Sequence, residues 1–546
     1  MWQRAVRSRA PARRANCGVG GRELSTRGFG GKWRHSLVAP SCANDGVVET
    51  LRGAAVTLID RDSNGRDDRD DLRRIAEKAL AERGFRTSFP PEVMRAAAER
   101  RVDDRGMRDL TGLPWSSIDN DLSRDLDQVE YAQRHDGFIR VMVGIAEVAD
   151  YAPTGGAIDH AAMHNTTTVY TAGGIFPMLP TLLSEDETSL LDGQVRRAMV
   201  TSIDVAPDGR VLAARHCRAY VRNRRKLTYD TVAAWLDGGP PPPSLASDPV
   251  LQEQIALQEL AAKWLRAQRV ARGGAGFELP ETELVRDADG HVVDIVARSQ
   301  SRAERIVEDL MIAVNEAVAR TLEGHGFSSI RRVVPPPPRW DRMRELAERW
   351  GDALPEQPDA RALGAFLSRA TRERPADAEE IAVSVMKLSG RASYVLRVAG
   401  SDQPGGHFGL ATDAYSHSTA PNRRYSDVAI QRLLHAICAG HGAPLDNDQL
   451  ATIADRCTVM AGNAARVERQ VAKSAAALFL SDRVGKSFEA VVSGVTAKGT
   501  WVRLFRPAVE GKLVAKAEGL DVGEHLTVRL EAADVLNGHL DFARVE

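Results

Sequence analysis

Hydrophobic positions change period several times along the chain, and each change marks a different kind of element. Leu72, Ile75, Ala76 and Leu80 recur at helical spacing within Asp71 to Glu82, and Pro90 and Pro91 open a second helix through Met94 and Ala98. From about Leu110 to Val221 the pattern shortens to β runs such as Gly137 to Ala149 and Met199 to Val205, the second closed by the turn Ala206-Pro207-Asp208-Gly209. A Pro-rich linker, Gly239 to Pro243, then introduces mostly helical sequence, including Ala303 to Leu322 and Val428 to Ala439. Strands followed by helices predict an α+β domain. Phe488 to Phe542 returns to alternation, with Gly494, Gly499, Gly511, Gly523 and Gly538 read as turns, and some five short strands there predict a small OB-type barrel.

Ahead of these elements, Met1 to Ala43 carries eight Arg and one Lys against a single acid, Glu23, without apolar periodicity. Disorder is expected there. Three readings stay open: an organellar transit peptide, an upstream extension from a start codon set too early, or an RNA-binding arm. The expected organisation is a basic extension over 1–52, a small helical element over 53–104, an α+β domain over 105–480 and the barrel over 484–546.

Composition narrows the class. A chain of 546 residues, 43% hydrophobic and 27% charged, has the make-up of a soluble globular protein of about three domains. It offers no run of 18 or more apolar residues, so no membrane role is expected. The net charge of −1 gives no overall basic field, so any nucleic-acid contact has to come from local Lys and Arg clusters. Cys17, Cys42, Cys217, Cys438 and Cys457 form no C-x-x-C pair and suggest neither a disulfide framework nor a zinc site. A reducing cytoplasm is the expected location, with organellar targeting by the Arg-rich start as the alternative.

The chemistry concentrates in LPWSSIDNDLSRDLDQVE, Leu113 to Glu130, where Asp119, Asp121, Asp125 and Asp127 fall within nine residues. Such carboxylates repel one another unless a cation joins them, and hard oxygen donors favour Mg²⁺ or Mn²⁺. Paired ions of this kind stabilise both oxygens of an in-line phosphodiester displacement. A solvated acidic loop is the plainer reading, because Asp is common in turns. Asp119 to Glu130 also has the acid spacing of a calcium-binding EF-hand, but Arg124 stands where the tight turn needs Gly and Pro114 precedes it in place of a helix. A second loop of that type, Asp60 to Asp71, has Gly65 at the turn but ends in Asp71 rather than a bidentate Glu.

The ID-x5-D-x-D pattern of Asp119, Asp125 and Asp127 is followed by VGIAEVADYAP from Val143, NTTTVY, FPMLPTLLS and SLL from Ser189. GAGFELPE from Gly274, RIVEDLMIAVNEAVA from Arg305 and HFGLATDAYSHSTAPNRRYSD from His407 come later. Together these resemble the ribonuclease II and ribonuclease R (RNB) family, in the family's order. The tail GKSFEAVVSGVTAKGTWVRL is similar to a ribosomal-S1-type RNA-binding barrel, and the resemblance covers roughly residues 105 to 546.

The resemblance implies an RNB-type catalytic domain followed by an S1-type OB barrel, acting on single-stranded RNA from its 3′ end and releasing nucleoside 5′-monophosphates. It implies Mg²⁺, with Mn²⁺ as a substitute, and no obligatory protein partner. Asp119, Asp125, Asp127 and Gln128 would face the metal. Asp127, Asp125 and Arg423 would be catalytic, with Arg423 neutralising charge on the phosphate in the transition state. Tyr170 would stack on the 3′-terminal nucleotide, and Arg424, Glu308 and Glu468 would contact RNA near the end of its channel. In the barrel, Phe488, Lys498, Trp501 and Arg503 are the candidate RNA contacts. Read without the resemblance, Tyr170, Phe488 and Trp501 fit core positions equally well, and Arg423 and Arg424 fit an ordinary surface at a helix start.

Three departures stand out. Gln128 replaces an acid, and Ala420 and Asn422 replace the Ser and Ile that usually flank the proline of the PNRR segment. Too few residues precede the acidic segment for the paired cold-shock barrels common in the family. A catalytically weak RNA-binding protein of the same fold is therefore the alternative function.

Overall fold

The computed structural model describes residues 68–99, 102–274, 281–286, 292–298, 300–375, 377–402 and 406–545, with backbone only at 281–286, 292, 293, 297 and 379. The basic extension over 1–52, most of the Asp60 to Asp71 loop and positions 275–280 of the GAGFELPE segment lie outside the described residues.

Asp68, Asp70 and Asp71 in its first turn complement the N-terminal dipole of helix α1 (Asp68–Glu82), which buries the predicted Leu72, Ile75, Ala76 and Leu80. Helix α2 (Pro91–Ala98) starts on a proline, whose missing N–H costs nothing there. The main sheet then forms from β1 (Arg108–Asp109), β2 (Trp115–Asp119), β3 (Gln128–His135) and β4 (Phe138–Ala146). After helix α3 (Ala157–Asn165) and the small hairpin β5 (Val169–Thr171) and β6 (Gly174–Phe176), the sheet resumes with β7 (Val195–Val205) and β8 (Val211–Thr228). Its order is β1-β8-β2-β3-β4-β7, and β8 also pairs with β7. Among the described residues β2, β3, β4 and β7 therefore each have two neighbours and β8 has three, which leaves only the two-residue β1 at an edge. The 18-residue length of β8 is what lets it run parallel to β2 at one end and antiparallel to β7 along the rest.

Helices α4 (Tyr229–Leu236), α5 (Pro243–Ala246) and α6 (Pro249–Arg272) follow, then β9 (Glu281–Arg286), β10 (Val292–Arg298) and α7 (Arg302–Gly324). Asp248 caps α6, and Ser301 with Glu304 forms a capping box on α7. Both helices pack on the main sheet, α6 against β3, β4 and β7, and α7 against β2, β7 and β8. Next come β11 (Ser329–Val333), α8 (Trp340–Arg349), α9 (Ala360–Glu373), α10 (Ala378–Leu388), β12 (Ser393–Arg397), α11 (Tyr425–Ala439) and α12 (Asn447–Leu480). The stretch after the Pro-rich linker is thus not purely helical: β9 pairs with β10, and β11 with β12.

At 34 residues, α12 is roughly 50 Å long at 1.5 Å per residue and touches α1, β5, β12 and the barrel strands. The closed barrel comprises β13 (Ser487–Thr496), β14 (Gly499–Leu504), β15 (Glu510–Ala515), β16 (His525–Asp534) and β17 (His539–Arg544). Of the five glycines read as turns, Gly499, Gly523 and Gly538 have positive φ, whereas Gly494 and Gly511 sit inside strands. Gly494 follows a bulge in β13, and a Cβ on Gly511 would lie 2.4 Å from the Phe542 ring, so that glycine makes room for a core aromatic.

Candidate active site

Both flanks of the acidic segment are strands, β2 ending at Asp119 and β3 beginning at Gln128, so the calcium-loop reading of Asp119 to Glu130 is excluded by the missing helices. The connecting loop is held by its own backbone. Lys226 Nζ donates to the carbonyls of Asp121 and Ser123 at 2.7 and 2.8 Å. Leu126 N–H donates to Ser189 Oγ at 2.9 Å, and Leu190 N–H to the Leu126 carbonyl at 3.0 Å, which is how the SLL segment anchors the loop.

A second pairing brings distant motifs together. Thr168 N–H donates to the Arg423 carbonyl at 3.0 Å and Tyr425 N–H to the Thr166 carbonyl at 2.9 Å, so NTTTVY runs against NRRY. Asn422 N–H then donates to Asp127 Oδ1 at 3.0 Å, and Arg423 Nε lies 3.4 Å from Asp127 Oδ2. That bond uses the backbone, so Asn422 serves it as well as Ile would; its side chain lies against Thr188 Oγ1 at 2.6 Å. Ala420 also acts through its N–H, donating to Asp427 Oδ1 at 2.8 Å. Asp427 in turn holds the Arg424 guanidinium at 3.0 and 2.7 Å and raises its pKa above the usual value.

These segments wall a cavity of about 950 Å³. Of the sequence-selected residues, Asp119, Asp125, Asp127, Gln128, Tyr170, Glu308, Arg423 and Arg424 line it, beside Asn315, His407, Tyr415 and His417. The last three lie in the HFGLATDAYSH segment, which the sequence marks as a motif without marking these side chains. Asp127 is 3% exposed, and burial, opposed by Arg423, pushes its carboxyl up to about 7. Tyr170 OH donates to Asp125 Oδ2 at 2.8 Å, and burial raises its phenol above the ordinary range. Behind the lining, Glu130 is buried, and desolvation followed by the charge of Asp119 pushes its carboxyl up to about 8.

Other candidates fall elsewhere. Asp121 is exposed and not among the lining residues, although its place in the acidic run suggested a further carboxylate. Glu468 on α12 does not line the cavity; burial pushes its carboxyl up, and the Tyr170 backbone beside it opposes that shift. Phe488 is half-buried against the barrel core, on the face of Ala490 and Val492. Trp501 and Arg503 alternate with the buried Thr500, Val502 and Leu504 and so face outward, with exposed Lys498 on the preceding turn.

Among the described residues, the one group of three acids or histidines whose donor atoms all lie within 4.8 Å is Glu147, Asp150 and His435, outside the cavity lining. Arg197 and Arg218 already pair with Asp150, so that cluster carries its own positive charge. The cavity acids Asp119, Asp125 and Asp127 are hard oxygen donors, the chemistry that a divalent cation takes.

The RNB domain family matches residues 107–440, and the RNase II-type exonuclease C-terminal S1 domain matches residues 486–545. Ribonuclease R 1 of Lactococcus lactis subsp. lactis (strain IL1403) is 27% identical over 488 residues, covering 83% of this chain and 57% of that protein. Ribonuclease R of Thermotoga maritima is 28% identical over 497 residues, covering 84% and 68%. The chain thus spans little more than half the length of the Lactococcus relative. Among solved structures, Mycoplasma genitalium RNase R in complex with ribose methylated single-stranded RNA shares the fold at a TM-score of 0.79, with 23% identity over 87% of this chain and 78% of that one. A match over more than half of its length, carried by an acidic loop and an arginine motif that meet in one cavity, makes this chain a member of the RNB family.

Proposed function

We propose that the chain is a hydrolytic 3′→5′ exoribonuclease that converts single-stranded RNA to nucleoside 5′-monophosphates with Mg²⁺, for which Mn²⁺ substitutes. The observation that carries this reading is Asp127, buried at the meeting point of Asn422 N–H and the Arg423 guanidinium. Asp119 and Asp125 supply two further carboxylates and Gln128 one neutral carbonyl oxygen toward the cation. When bound, the cation lowers the pKa of a water and balances charge on the phosphate oxygens. Arg423, fixed through its backbone to Thr168, meets the charge that develops on the non-bridging oxygens in the transition state. Tyr170 offers a ring face to the terminal base, and stacking tolerates every base. Arg424, locked by Asp427, contributes fixed positive charge, and Glu308 lines the same cavity from α7.

No described helix is long and apolar enough to cross a membrane. The free thiols of Cys217, Cys438 and Cys457 suit a reducing cytoplasm.

The test compares a linear RNA bearing a 3′-hydroxyl with the same RNA circularised. Nucleoside 5′-monophosphates from the linear form and an intact circle are expected. Cuts in the circle would identify an endonuclease, and retention of linear RNA without products would identify the RNA-binding alternative that the neutral Gln128 suggests.

A further inference from the structure

We propose that Glu130 supplies, as a ligand or by holding a ligand water, the carboxylate of the cation site that Gln128 lacks. This rests on the cation site of the proposed function. Glu130 lies two residues beyond Gln128 on β3, so both side chains leave the strand on one face, and Gln128 lines the cavity. The Glu130 side chain belongs to a residue 1% exposed, yet neither carboxylate oxygen has a hydrogen-bond partner among the described residues. Opposite it in register on β2 is Ser116, whose buried Oγ also lacks one. A buried carboxylate without donors is destabilising unless a cation or a proton neutralises it.

Among the described residues, no cation is among the groups that act on Glu130. The charge that acts most on Glu130 is Asp119, a like charge at the end of β2, and Tyr229 in the cavity wall feels both acids. Of the arginines lining the cavity, Arg423 pairs with Asp127, Arg424 with Asp427 and Arg298 with Asp230 and Glu304, while Arg332 lies over the Tyr394 ring. Asp119 and the Gln128 amide in the cavity wall thus adjoin the Glu130 carboxylate buried behind it, and a divalent ion between them satisfies both acids at once.

The alternative is a permanently neutral Glu130 that only fills space. Mn²⁺ binding to the full chain without RNA, followed by the electron paramagnetic resonance of free Mn²⁺, separates the two. Glu130→Gln keeps the shape of the neutral acid, so its thermal midpoint in EDTA should equal wild type, while Mn²⁺ affinity should fall about tenfold or more. Adding Gln128→Asp to that variant should restore affinity. Glu130→Leu fills a similar volume without polar atoms and should lose affinity equally, which keeps the test open if Glu130→Gln does not fold. Wild-type affinity in either Glu130 variant, alongside loss in Asp119→Asn, overturns the role of Glu130 alone. Unchanged affinity in Asp119→Asn, or no Mn²⁺ binding by wild type, overturns the cation site itself and the role of Glu130 with it.

Discussion

The Tyr170 hydroxyl donates to Asp125 Oδ2 at 2.8 Å, tying the aromatic hairpin to the acidic loop across 45 residues of sequence. Stacking on a base contributes about 1–3 kcal/mol, so Tyr170→Ala should raise KM for a short oligonucleotide by about 5- to 150-fold. Tyr170→Phe keeps the ring and should stay near the wild-type KM. Steady-state kinetics on both variants check this, and an equal loss in Tyr170→Phe would shift the weight from stacking to the hydroxyl bond.

Gly173 at the tip of that hairpin makes α1 part of the site's support. A Cβ there would lie 2.4 Å from the Leu72 carbonyl oxygen, within the backbone of α1. Gly173→Ala should therefore displace α1 and lower the thermal midpoint, since a clash with backbone typically costs about 1–3 kcal/mol. KM for short RNA should rise with it. An unchanged midpoint would mean that α1 docks less tightly than its packing indicates.

Removing the barrel is a poor test of RNA contact, because Ala475 to Leu480 of α12, together with Leu72 and Ile75 of α1, share the barrel's hydrophobic core. Surface substitution avoids that. Trp501 faces outward opposite Lys512, so Trp501→Ala combined with Lys498→Ala should raise KM for long RNA several-fold while leaving short oligonucleotides unaffected. Equal effects on both lengths would argue against RNA contact by this face.

Acid should destabilise the fold through His216. Its ring bridges Thr201 Oγ1 at 3.0 Å and Thr321 Oγ1 at 2.9 Å, and burial, with His325 adding to it, pushes its pKa down to about 4. The unfolded chain gains a proton near pH 6.5 that the folded chain takes only near 4, so the stabilisation is complete above 6.5 and is lost as pH falls toward 4. His216 therefore adds a downward slope to the thermal midpoint from pH 7 to pH 5, against the upward one of Asp127 and Glu130, whose raised carboxyls take up protons over the same interval. His216→Gln should flatten that slope, and an unchanged slope would assign acid sensitivity to other groups.

How much of this was legible in the sequence depends on whether a feature leaves a residue-type signature. The acids of the Asp119 to Asp127 loop and the Arg423 motif do, because clustered charge is chemically unusual. The contacts that assemble them, Thr168 with Arg423 and Asn422 with Asp127, are backbone bonds and look the same for any residue. Glu468 lies beside the Tyr170 backbone and outside the cavity lining, a placement no spacing reveals. The helices α1 and α7 follow their apolar periodicity, whereas β11 and β12 pair across about 60 residues and carry no local signal. Gly511 reads as a turn because its need for space comes from Phe542, far along the chain.

If the carboxylates around Asp127 serve hydrolysis of RNA from its 3′ end with a divalent cation, turnover needs both the cation and the Asp127 charge. The most direct measurement uses 5′-labelled single-stranded RNA, resolved at single-nucleotide spacing, with wild type and Asp127→Asn in Mg²⁺, Mn²⁺ or EDTA. Wild type should shorten the RNA stepwise from the 3′ end in Mg²⁺ and Mn²⁺ and leave it intact in EDTA. Asp127→Asn should lose about 100-fold or more in turnover while its RNA affinity stays close to wild type, because the lost charge serves the cation and the transition state and the side-chain shape is kept. Undiminished turnover in Asp127→Asn, or shortening that persists in EDTA, would rule out cation-assisted hydrolysis at Asp127.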